Sequence, residues 1–265
     1  MALVLLSLVA MSVHGQQFSE IASKEKKLSY NGYEIKLRFD GRSRQSSAIV
    51  KRNGRILINK HYGWRDEETT KIALFPVLGG PTKQLIIEQY TGGAHCCSFY
   101  WIYDLGRAPR LLFSDEIYHF ESGNGLYLTD LDKDGCFELE QVILEFDYFH
   151  LSHAQSILPT VVFSYDKKLG RYVLANKKFR DYVLQGIDED SAKVRKLQPS
   201  VRDSSLYLHD QYLSVVLKVV LNYLYTGKAE DAWSFFQSYY KLDDRREIAA
   251  DLRKELRKSH IYHSL

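Results

Sequence analysis

The sequence predicts an α+β protein: an antiparallel β-meander domain, propeller-blade-like or a sandwich, followed by a C-terminal helical hairpin region. Three observations carry this expectation. Through residues 30–174, apolar side chains alternate with polar ones or form short β-branched and aromatic runs. Through the last third of the chain they recur every three to four residues instead. Aromatic residues are abundant, with 19 Tyr, 13 Phe and 3 Trp, and such side chains fill pleated, half-buried surfaces.

Residues 1–15 contain no Asp, Glu, Lys or Arg, residues 3–9 form an apolar run with Ser7 its one polar member, and Val13-His14-Gly15 offers modest side chains at a cleavage point. This reads as a secretory signal, although no Lys or Arg precedes the apolar run, which points to an earlier start. The run is too short to span a bilayer. A second apolar stretch, residues 212–225, is interrupted by Lys218 and Asn222 and is expected to be a buried helix. No transmembrane segment is expected. The formal net charge of +3 over 265 residues is too small to indicate a nucleic-acid partner.

The strands follow in order. Residues 33–39 alternate strictly, which makes one apolar and one wet face. Ala48-Ile49-Val50 and Arg55-Ile56-Leu57-Ile58 flank Asn53-Gly54, a pair that supplies the positive φ of a tight hairpin. Residues 85–90, 99–103, 142–146 and 161–165 are further strands. A weak internal repeat runs through them: residues 78–85 stand where residues 131–139 stand later, and Tyr103-Asp104 and Tyr165-Asp166 each precede a closing strand at equal distance. Meander units of this kind stack face to face.

Residues 176–200 are polar, with Asp188-Glu189-Asp190 at their centre, and read as a linker. The helical tail occupies residues 201–265. Tyr212, Val215, Val216, Val219, Val220, Tyr223 and Leu224 form one wide apolar face, and Gly227 ends that helix. Asp244 followed by Glu247 has the capping-box spacing for a last helix carrying Ile248, Leu252 and Leu256. The domain division is therefore a signal (1–15), a β-rich domain (16–175) that contains the acidic loop taken up next, a linker (176–200) and the tail.

The chemistry concentrates in Asp130-Leu131-Asp132-Lys133-Asp134-Gly135-Cys136-Phe137-Glu138. Calcium takes six to eight hard oxygen ligands. Asp130, Asp132 and Asp134 put carboxylates on the inside of a tight loop, Gly135 permits the turn, the Cys136 carbonyl faces the ion, and Glu138 closes the set. Carboxylates so close repel one another unless a cation joins them. Gln141 stands where an EF-hand needs its closing Glu, and a strand follows rather than a helix. The loop resembles the calcium loops of FG-GAP and VCBS-like β-propeller repeats, with the signature Asp-x-Asp-x-Asp-Gly-x-x-Glu before a strand. That resemblance implies a structural Ca2+ in an extracellular binding module.

Thr91-Gly92-Gly93-Ala94-His95-Cys96-Cys97 combines a bend with three soft or borderline metal ligands. The three cysteines are Cys96, Cys97 and Cys136. They allow a disulfide from Cys136 to Cys96 or Cys97, or one between the adjacent pair. His95, His150 and His153 are the candidate ligands of a second metal site, for zinc or copper. The Thr91 segment resembles one found in exported bacterial proteins, which implies export. Residues 225–236 resemble the core of a tetratricopeptide hairpin, which implies a docking surface for another protein.

The expected function is an exported, periplasmic or secreted, non-enzymatic interaction protein with a structural calcium site, binding another envelope or extracellular protein. One alternative is a calcium-assisted glycan-binding module using Trp64, Tyr118 or Tyr148. The other is a metal-dependent hydrolase using His95, His150 and His153, although no nucleophile elbow or zinc-protease motif accompanies them.

Overall fold

The computed structural model describes residues 15–43, 45–62, 70–91, 98–120, 122–123, 125–198 and 206–265. The chain opens with β1 (Gln16–Gln17) and one helical turn, α1 (Phe18–Ile21). A first meander follows: β2 (Lys27–Tyr30), β3 (Tyr33–Asp40), β4 (Gln45–Arg52) and β5 (Arg55–Tyr62), paired antiparallel in sequence order. Asn53 and Gly54 both adopt positive φ, 50° and 75°, which matches the hairpin turn expected from the sequence. Asn31-Gly32 turns the preceding hairpin in the same way, at 49° and 75°.

The second meander contains β6 (Thr70–Phe75), β7 (Gln84–Tyr90), β8 (Ser98–Leu105) and β9 (Pro109–Ser114). A turn of helix, α2 (Asp115–Tyr118), is capped by Ser114, whose Oγ accepts the Glu116 N–H. The third meander contains β10 (Tyr127–Thr129), β11 (Glu138–Val142), β12 (Thr160–Asp166) and β13 (Arg171–Leu174), and β1 pairs beside β10 at its edge. The predicted repeat corresponds to the second and third meanders. Each runs strand, loop, strand, insertion, strand, tight turn, strand.

The sheets are layered through two interfaces. Tyr33, Ile35, Ala48 and Val50 of the first sheet pack on Ile72, Leu85, Ile87 and Trp101 of the second. The opposite face of the second sheet, with Ala73, Ile86, Tyr100 and Ile102, packs on Leu128, Leu139, Val161 and Phe163 of the third. The second sheet is thus covered on both faces, which explains why β7 is buried almost throughout rather than on alternate residues. At ~25 cal/mol per Å2 of apolar surface, these interfaces are the main stabilising term.

Five helices follow: α3 (Arg180–Val183), α4 (Ile187–Leu197), α5 (Leu206–Tyr225), α6 (Ala229–Tyr239) and α7 (Arg245–Lys258), with a final turn α8 (His260–His263). The apolar faces of α4 to α8 join the same core as the second and third sheets, together with Phe146, Phe149 and Leu151 of the β11–β12 insertion, while Val183 of α3 packs in a smaller cluster with Val162, Ala175 and Phe179. The helical tail is therefore not a separate body. Among the described residues no helix is long and apolar enough to cross a membrane.

Two expectations are corrected here. Most of the segment read as a linker, residues 176–200, is helical, forming α3 and α4. The charges that suggested a linker complement the dipole of α4, with Asp188, Glu189 and Asp190 in the first turn and Arg195 and Lys196 in the last. Asp190 is buried and bonds Lys218 of α5 at 2.8 Å and Lys193 at 3.2 Å, while Val194 enters the core. The capping box at Asp244 does not form. Asp244 Oδ2 instead accepts the Tyr240 hydroxyl at 3.0 Å and sits 3.1 Å from His209 Nε2, because the buried Tyr240 needs an acceptor.

Candidate metal site

The acidic loop connects β10 to β11, whose ends pair through Thr129 and Glu138. Lys133 and Gly135 take positive φ, 60° and 84°, which coils the chain tightly enough to bring alternate side chains inward. Inside the loop, Asp130 Oδ2 accepts the Gly135 N–H at 3.1 Å, Asp134 Oδ1 accepts the Cys136 N–H at 2.8 Å, and Glu138 Oε2 accepts the Leu131 N–H at 2.9 Å.

Asp130, Asp132 and Glu138 converge, each with an oxygen within 4.8 Å of the others. Ligand oxygens on opposite sides of a calcium ion lie roughly 4.6–5.2 Å apart, so one ion can touch all three. Asp130 Oδ1 is buried and has no hydrogen-bond partner. Glu138 is only 2% exposed. Burial, with added repulsion from Asp132 and Asp134 and against the bond from Leu131, raises its carboxyl to about 7.

Asp134 does not join this group. Its Oδ1 is used by Cys136 and its Oδ2 lies 3.5 Å from Lys167 Nζ. The Cys136 N–H chiefly, with Lys167, holds its carboxyl below the ordinary value. The Cys136 thiol also points elsewhere, donating to the Leu78 carbonyl at 3.3 Å. Lys178, just before α3, places Nζ 2.6 Å from Asp132 Oδ2. Desolvation opposes its charge, but the bond to Asp132 and the other loop carboxylates raise its pKa.

The loop of the second meander packs directly on this one. The Phe137 N–H donates to the Val77 carbonyl at 2.8 Å. Gly79 has φ 74°, and a Cβ there would lie 2.3 Å from the Gly135 carbonyl oxygen. The loop of residues 78–85, which lacks aspartates, thus abuts the acidic loop, with glycine required at the closest approach. Tyr172 ties the same region together, its hydroxyl donating to the Phe137 carbonyl at 2.9 Å.

The disulfides predicted from Cys136 to Cys96 or Cys97 are not formed, because Cys136 is a free thiol. It sits beside Leu78, before β7, whereas Cys96 and Cys97 follow that strand in the chain. Seven residues of strand put about 20 Å between the two ends. Cys96, Cys97 and His95 lie outside the described residues, and so does the pairing of the adjacent cysteines.

Of the predicted histidine grouping, His95 lies outside the described residues. His150 Nε2 is 2.9 Å from Asp251 Oδ2, while His153 Nδ1 is 2.8 Å from Asp147 Oδ1. Each of these two imidazoles thus meets a carboxylate, and His150 also joins Glu247 and Asp251 in one potential ligand set. Of the aromatics considered for glycan stacking, Tyr118 packs against Phe113 and Phe163 and donates to the Tyr172 carbonyl. Tyr148 is 62% exposed, and Trp64 lies outside the described residues. Comparison of the chain with protein-family models, curated proteins and solved structures finds no match.

Proposed function

We propose that this protein is an exported, non-enzymatic interaction module in which Asp130, Asp132 and Glu138 bind one structural calcium ion. The observation that carries this reading is the convergence of three carboxylates around a buried, unpartnered Asp130 oxygen. A cation there neutralises Glu138, which burial otherwise drives toward protonation. All donors are oxygens, the preference of a hard cation. The ion would tighten the joint between the second and third meanders, because the loop that holds it packs on Val77, Leu78 and Gly79.

Export is supported by the uncharged, apolar residues 1–15. Strand β1 begins at Gln16, so cleavage after Gly15 spares every described strand. Outside the cell, calcium is abundant enough for a site with a Kd of about 10⁻⁴–10⁻³ M to fill. The partner of this reading is another envelope or extracellular protein, sought by calcium-dependent pull-down with the mature chain.

The test is calorimetric melting of the whole chain in calcium and in chelator. At ten times Kd, binding adds about 1.4 kcal/mol, which raises the melting temperature by about 3–5 °C. Asp132→Asn combined with Glu138→Gln removes the rise. Equal melting temperatures with calcium and with chelator end the proposal.

A further inference from the structure

We infer a second metal site, for a transition-metal dication such as Zn2+, formed by His150, Glu247 and Asp251. One donor atom from each lies within 4.8 Å of the others. Glu247 and Asp251 are one turn apart on α7, so both stand on one face of the helix. His150 reaches them from the β11–β12 insertion, 101 residues earlier than Asp251.

The backbones that carry the donors are anchored in the core, while His150 and Glu247 themselves are exposed. Phe149 and Leu151, the neighbours of His150, are both buried. The backbone at His150 takes φ 50°, and its ring lies edge-on to the Phe149 ring at 4.9 Å between centroids. The neighbouring face of α7 is fixed in the core by Ile248, Leu252 and Leu256. Preorganisation of this kind removes much of the ordering cost of binding. The His150–Asp251 bond at 2.9 Å keeps the two nearest donors together without a metal.

The donor set distinguishes this site from the acidic loop. One imidazole nitrogen with two carboxylates suits zinc and its neighbours, whereas calcium prefers oxygen alone. Tetrahedral zinc ligands at 2.0–2.2 Å lie roughly 3.3–3.6 Å apart. Glu247 is exposed and Asp251 half-exposed, so small side-chain rotations bring all three to the ion, with water in the fourth position. Such an ion would fasten the third meander to the last long helix. His209 offers a contrast: its Nδ1 and Nε2 meet two different carboxylates, Asp210 at 3.4 Å and Asp244 at 3.1 Å, on opposite edges of the ring.

The experiment uses the untagged whole chain, stripped of metal and then saturated with calcium, titrated with Zn2+ by calorimetry and with Co2+ by visible absorption. One equivalent is expected, with Co2+ bands of a low-coordinate nitrogen–oxygen site. His150→Ala is expected to weaken binding by at least about tenfold, Glu247→Gln and Asp251→Asn by several-fold, and His153→Gln and His209→Asn by less than about twofold. Circular dichroism verifies that each variant is folded. Unchanged zinc affinity in folded His150→Ala, or no binding by the original chain, overturns the inference.

Discussion

The Lys178 ammonium lies 2.6 Å from Oδ2 of Asp132, so the acidic loop carries a tethered cation of its own. That lysine comes from the segment leading into α3, and it shares its location with any metal the loop takes. A positive charge fixed beside the site lowers affinity for a second one. Lys178 is about half exposed, so solvent screening reduces the effect to a few-fold. Lys178→Gln is expected to tighten calcium binding by about three- to tenfold, read by titration calorimetry. Unchanged or weaker binding contradicts the competition.

Glu138 sets the pH dependence. In the calcium-free protein its carboxyl is raised from 4.5 to about 7, so between these values the folded state holds a proton that the unfolded state has lost. This contribution to stability is complete below about 4.5 and is lost as pH rises through about 7. Calcium reverses the trend, because binding displaces that proton. Affinity should rise by up to about tenfold per pH unit below 7 and level off above it. Glu138→Gln removes the dependence. A flat affinity between pH 5 and 7, roughly the interval in which this group titrates, would show that it does not take part.

Gly79 is required twice over, by its φ of 74° and by the Gly135 carbonyl 2.3 Å from where its Cβ would be. A non-glycine residue at positive φ costs roughly 1–2 kcal/mol, and the contact is with backbone, which cannot rotate away. Gly79→Ala should therefore destabilise by about 2–4 kcal/mol in urea unfolding. It should also weaken calcium binding by shifting the acidic loop. Gly80, with open space around it, is the control for the clash: Gly80→Ala bears only the φ cost. Equal losses in the two variants would dispose of the close-approach argument.

Asp190 tests how the helical tail is attached. Its carboxylate is buried among Lys218 and Lys193. Desolvation alone would raise its pKa, yet the bonds to the two lysines depress it below the ordinary value. Asp190→Ala leaves Lys218 without its acceptor and loosens α4 from α5. The expected loss is about 1–3 kcal/mol, and hydrogen exchange should accelerate in α4 before the sheets. Uniform exchange throughout would mean that α4 docks by Val194 alone.

Much of the architecture was legible because it rests on local rules. Period-two alternation located β3, Asn53-Gly54 located the β4–β5 hairpin, and three- to fourfold spacing located α5. The α4 helix escaped because Asp188, Glu189 and Asp190 look like solvated loop until their place in the first helical turn is known. Asn31-Gly32 carries the same hairpin signal as Asn53-Gly54 and turns β2 into β3. The acidic loop was readable from spacing, but the outward turn of Asp134 toward Lys167 was not, since Lys167 belongs to another turn of the chain.

The sequence by itself determined the kinds of element and the chemistry of the loop, because periodicity, turn residues and ligand spacing act between near neighbours. Only the tertiary structure decided which groups meet across distance. It set Gly79 against Gly135, freed Cys136 from any cysteine partner, and brought His150 to α7. Those outcomes depend on how three sheets and a helical layer stack, and burial of apolar faces fixes that stacking without leaving a local signature in the chain.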